Sequence, residues 1–176
     1  MSRASIATKQ LGGLAIATIL YTGLGSLFQP VAQAQAAYGS YLGAGASVGV
    51  GADWNGEGHQ LGAVLAARYK FLRSPISLRT QAFISSGSTA IVPTISYDMP
   101  LSWQLDAYVG AGYSFATGDK PSPVGDSNSL VIQPGLDYAL PNSNTVIFTN
   151  AVWALDAYKG ENSSALSLQG GLGLRF

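Results

Sequence analysis

The chain has no cysteine and a single histidine among its 176 residues. Without cysteine there is no disulfide framework, no thiolate nucleophile and no thiolate metal site. Charged residues make up only 10% of the sequence, whereas a soluble domain carries about 25%. Nine basic residues balance nine acidic ones, so the basic footprint that accompanies nucleic-acid binding is missing. Beyond Phe28 no long apolar run occurs, and from residue 37 onward no segment repeats with the 3.6-residue period of a helix. Few charges, no helical signal and no hydrophobic span together point to a membrane protein built of strands.

The first 36 residues form a separate segment. Arg3 and Lys9 give a positive start, Leu11–Phe28 is apolar and uncharged, and Ala32-Gln33-Ala34 and Ala34-Gln35-Ala36 both fit a small-residue cleavage site. This pattern predicts a secretory signal peptide over 1–36, cleaved after about Ala34 or Ala36, and an exported domain over 37–176. The alternative is an uncleaved transmembrane helix, for which 18 apolar residues are borderline in length; the adjacent cleavage sites favour removal. Loss of Arg3 and Lys9 leaves seven basic against nine acidic residues, a net charge of −2.

Within the exported segment, apolar residues alternate with polar or small ones. The pattern predicts eight strands over 38–50, 61–71, 75–84, 89–98, 101–115, 129–139, 145–158 and 164–176, separated by clusters of Gly, Pro, Asn, Ser and Asp. Longer and shorter breaks alternate, which suits an up-and-down meander, and eight strands are enough to close into a barrel without edges. One face of every strand is apolar, as in Leu61-Ala63-Leu65-Ala67-Tyr69. All strand charges lie on the other face. A soluble barrel must turn its apolar face inward, and eight strands cannot enclose this much apolar volume. The inverse arrangement, apolar outside and polar inside, is that of a transmembrane barrel. The outward aromatics also sort by height: Tyr69, Phe71, Tyr97, Trp103, Tyr138 and Phe176 fall near the tight-turn rim, and Tyr113, Phe115 and Trp153 towards the other. Two aromatic girdles flanking an aliphatic band match the headgroup levels of a bilayer.

These features resemble the small eight-stranded bacterial outer-membrane barrels of the outer membrane protein A and X type. The terminal stretch "LSLQGGLGLRF" is similar to that family's C-terminal assembly signal, carried here by Leu172, Leu174 and Phe176. The resemblance implies an all-β antiparallel barrel over 37–176, residence in the bacterial outer membrane after passage through the periplasm, and recognition of the last strand by the barrel-assembly machinery. It implies outer-membrane lipids as the surroundings, a monomer, and longer loops on the outer side.

The predicted lumen holds Arg68, Lys70, Arg79 and Arg175 against Asp98, Asp106, Asp137 and Asp156. Such a set serves either as a structural plug of ion pairs or as the charged constriction of a narrow ion- or small-solute-conducting pore. A lipid-modifying enzyme built on His59, with Asp53, Glu57 and the serines Ser85, Ser86 and Ser88 nearby, is a third alternative. One histidine beside two carboxylates is weak for catalysis or metal binding, and no catalytic, metal or cofactor site is assigned. "GAGASVGVG" lacks the helix a phosphate loop needs. Pro93 and Pro134 interrupt predicted strands and predict a bulge or register change at each. "ATGDKPSPVGDSN" predicts a mobile, exposed outer loop. The expectation for function is a non-enzymatic envelope protein with a structural or surface role.

Overall fold

A computed structural model describes residues 39–50, 59–118, 120–158 and 163–176; the predicted signal peptide and the acidic residues near His59 lie outside them. Eight antiparallel strands form one closed up-and-down barrel: β1 (Tyr41–Val50), β2 (His59–Lys70), β3 (Ile76–Ser85), β4 (Ser88–Pro100), β5 (Leu105–Gly118), β6 (Ser129–Ala139), β7 (Thr145–Ala154) and β8 (Ala165–Arg175). β8 pairs with β1 along its length, so no strand is left as an edge.

The register gives the size of the barrel. A circuit that leaves Val50 through Leu166, Trp153, Ile132, Ala111, Ile95, Leu78 and Tyr69 returns to β1 one residue before Tyr41, displaced by ten residues. That stagger over eight strands corresponds to a strand tilt of about 40° and a backbone radius of about 8 Å. A ten-residue strand at this tilt rises about 25 Å, the height of a bilayer's apolar band.

Every residue on that circuit points outward, and the outer wall is mainly aliphatic and aromatic, with threonines such as Thr80 and Thr149 set among them. Leu42, Leu65, Ile95, Leu130, Leu172 and Leu174 are each more than half exposed. A soluble protein does not leave a continuous belt of this kind in water; hydrocarbon covers it. Tyr69, Phe71, Trp103, Tyr138 and Phe176 are exposed at one rim, where Tyr97 is half-buried, and Tyr113, Phe115 and Trp153 are exposed towards the other.

Three expectations about the ends of strands are corrected. β5 begins at Leu105, not Leu101, because the Ser102 hydroxyl accepts hydrogen bonds from the backbone N–H of Gln104 and Leu105 and closes a turn there. β7 ends at Ala154, not Tyr158, because Asp156 takes a left-handed conformation with φ of 52°. The second outer connection, between β3 and β4, is only Ser86-Gly87, turned by Gly87 at φ 91°.

The prolines produce neither a bulge nor a register change. Pairing of β4 with β5 passes from Ile91↔Phe115 to Thr94↔Gly112 in unchanged phase, and Pro93 still pairs with Thr80 of β3. Around Pro134, pairing of β6 with β7 passes from Ile132↔Trp153 to Gly135↔Asn150, while Val109↔Pro134 holds on the other side. A missing N–H affects one neighbour only, so each proline locally interrupts one ladder and leaves the strands in step.

Candidate functional site: the barrel lumen

Inward side chains stack in layers, and the layer nearest the short turns holds the charges. Arg68 and Arg79 are direct register partners on β2 and β3, and Asp106 and Asp137 are partners on β5 and β6. Each like-charged pair is unfavourable taken alone. The curvature of the barrel turns the two pairs towards each other, with Asp98 of β4 and Lys70 of β2 beside them.

Six ion pairs result. Arg68 meets Asp98, Asp106 and Asp137 at 2.8, 3.1 and 3.0 Å. Lys70 meets Asp98 at 2.7 Å, and Arg79 meets Asp98 and Asp137 at 3.2 and 2.9 Å. Neutral donors and acceptors complete the shell. The Ser77 hydroxyl donates to Asp98 and accepts from the Arg68 Nε; Ser96 donates to Asp98 and accepts from Arg79. The Tyr41 hydroxyl donates to Asp137 at 3.0 Å. The Arg79 guanidinium lies 3.3 Å from the centre of the Tyr108 ring, a cation–π arrangement. Three cations thus balance three anions, all buried.

Two residues predicted for this cluster stand apart from it. Asp156 is exposed in the turn after β7, because the strand ends before alternation would carry it inward. Arg175 is half-buried at the rim, where its guanidinium donates to the Ser143 carbonyl. Gln104, which alternation through the predicted strand 101–115 turns inward beside outward Trp103, is exposed in the Ser102 turn.

Above the ions lies a belt of uncharged polar side chains: Gln81, Thr94, Gln133, Asn150 and Gln169, all buried. Thr94 donates to Gln133 at 2.7 Å, and Gln133 donates to Asn150 at 3.2 Å. Above the belt the lumen becomes mainly apolar, with the small hydroxyls of Ser114, Ser129 and Ser167 buried among the aliphatic side chains. Val64, Phe83, Val92, Val131 and Val152 are fully enclosed. The outer half of the lumen is therefore not the polar interior expected from the charged residues; the signal for it was the inward parity of these five positions.

The mouth is closed by the loop expected to be exposed. Ser122–Gly125 form a tight turn with two backbone hydrogen bonds of 2.9 Å, and Val124 is completely buried against the apolar layer. Pro123 packs on the inward faces of Gly49 and Gly62, and the Pro121 carbonyl accepts from Ser88. The small inward glycines leave the room that this segment fills. The side chain of His59 lies outside the described residues. Among those residues, no group of acidic or histidine side chains is arranged to hold a metal ion.

No protein-family model matches the chain, and no characterised protein matches it by sequence. Solved structures do match. A de novo designed transmembrane β-barrel superposes with a TM-score of 0.56 at 15% identity, over 79% of this chain and 97% of the design. The outer membrane protein OprG of Pseudomonas aeruginosa gives 0.54 at 13% identity, over 79% and 96%. Ail of Yersinia pestis, solved with the heparin analogue sucrose octasulfate, gives 0.51 at 18% identity, over 78% and 96%. The likeness at these identities is one of fold: the chain has the architecture of the small eight-stranded outer-membrane barrels.

Proposed function

We propose that the chain is a monomeric integral protein of the bacterial outer membrane with a structural or surface role, without enzymatic activity and without a conducting lumen. The observation that carries this reading is the filling of the lumen at every level: ion pairs, amides, valines with a phenylalanine, and the Ser122–Gly125 turn. A radius of about 8 Å leaves an interior that side chains can fill, and here buried ion pairs occupy one end and buried apolar side chains the other. Each carboxylate of the cluster is engaged by a cation, which leaves none poised as a general base. The apolar wall argues for outer-membrane lipids as the surroundings. The β1–β8 seam with Leu172, Leu174 and Phe176 argues for delivery by the barrel-assembly machinery.

Ion conductance of the folded chain in a planar bilayer tests the proposal. Silence, with insertion demonstrated, is the expected result. Discrete steps that change when Arg79→Gln removes a charge would replace it with the narrow-pore alternative. Phospholipid turnover by the inserted barrel would overturn its non-enzymatic part.

A further inference from the structure

The amide belt contains a gap in an otherwise continuous chain of hydrogen bonds. The chain runs from Thr94 to Gln133 to Asn150. Asn150 and Gln169 are direct register partners on β7 and β8. Yet the Asn150 Nδ2, both amide atoms of Gln169 and the Oε1 of Gln81 find no hydrogen-bond partner among the described residues. All three side chains are more than nine-tenths buried, with 6%, 3% and 3% exposure. Buried polar atoms are almost always satisfied, by protein or by ordered water. Swapping the ends of the Gln169 amide changes nothing, since both ends are free.

We propose that the belt is a built site for internal water, with one molecule bridging the register partners Asn150 and Gln169. The chemistry selects the ligand. The free groups comprise donors and acceptors together, with no net charge. A cation would need acceptors alone and an anion donors alone; water uses both and requires two to four polar partners. Along the strands, Val64, Val92, Val152 and Ser167 lie on the outer side of the belt, and Arg79, Ser96 and Phe148 on its other side, all buried. The water is therefore enclosed and does not form a path through the barrel. This inference stands apart from the proposed role: silence or current in the conductance experiment decides the role and leaves the belt to its own test.

That test is water–amide cross-relaxation by NMR on the folded full-length chain in micelles, with Asn and Gln side chains labelled. The expected result is magnetisation transfer from long-lived water to the NH2 groups of Asn150 and Gln169. In Gln169→Leu the signal at Asn150 should be lost, with the rest of the amide spectrum preserved. Absence of water transfer in the unaltered protein, with a direct Asn150–Gln169 contact in its place, overturns the proposal. The unaltered protein is decisive alone, so failure of the variant to fold does not shelter the idea.

Discussion

Asp98→Asn is the sharpest probe of the ion cluster. The Asp98 carboxylate accepts from Arg68, Lys70, Arg79, Ser77 and Ser96 and is almost wholly buried. Asparagine keeps the volume, removes the charge and turns an NH2 towards groups that are themselves donors. Three cations would then face two anions in a medium that screens poorly. Removing one partner of a buried ion pair costs about 3–5 kcal/mol, and the five donors around Asp98 place this variant at the upper end. Asp106 sits at the lower edge of the cluster and is held by Arg68 at 3.1 Å, so Asp106→Asn should cost about 1–2 kcal/mol. Adding Lys70→Met to Asp98→Asn restores two charges against two and should recover about 1–2 kcal/mol of the loss, a coupling that distant sites do not show. Urea unfolding from phospholipid vesicles, followed by tryptophan fluorescence, measures all three. A loss below about 1 kcal/mol for Asp98→Asn, or no recovery in the double variant, would refute the account.

Other consequences follow from the wall, the seam and the mouth. Leu65→Arg, on the apolar wall near mid-height, should cost about 2–4 kcal/mol, and Leu72→Arg in the β2–β3 turn about 0–1, by the same unfolding assay. At the seam, a Cβ on Gly45 would lie 2.1 Å from the Gly170 carbonyl, whereas one on Gly170 meets its nearest atom at 3.8 Å. Gly45→Ala should therefore destabilise by about 1–3 kcal/mol and Gly170→Ala by under about 0.5; equal melting shifts on heated gels would contradict the register. Val124→Asp places a charge in the apolar layer and should release the plug. Proteinase K should then cut within 119–128 at least about tenfold faster than in the unaltered barrel, since the free energy of burying a valine, about 1.5–3 kcal/mol, holds the turn in place.

How much of this the sequence disclosed depended on what kind of constraint each residue answers to. The faces were legible because lipid and lumen impose opposite solvents on alternate residues, so Leu65 and Val64 differ by parity whatever their partners. Parity persists beyond a strand's end, however, and that misplaced Asp156 and Gln104: a left-handed aspartate and a hydroxyl-capped turn leave no trace in hydrophobic alternation. The pairing of Arg68 with Arg79, and of Asp106 with Asp137, depends on register, which closure of the whole barrel sets. The loop Lys120–Asn128 read as exposed because its composition is polar and proline-rich; a single apolar residue, Val124, decides its fate by fitting a space that only the folded lumen presents.

Register is also where the buried charges find their reason. The lipid face is built of interchangeable aliphatic residues, so a slip of two residues between neighbouring strands keeps every parity and changes little outside. Inside, the same slip moves Arg68 by about 5 Å along the barrel axis and separates it from Asp98 and Asp137. Ion pairs that add little net stability over apolar packing can still exclude such alternatives. Replacing Arg68, Lys70 and Arg79 with Met and Asp98, Asp106 and Asp137 with Leu should therefore leave unfolding free energy within about 2 kcal/mol of the original while admitting more than one register. The amide NMR spectrum of the folded variant would then show two or more peaks for residues of β2 and β3. A single sharp set of peaks would mean that the turns alone determine the register, and that the cluster serves some other end.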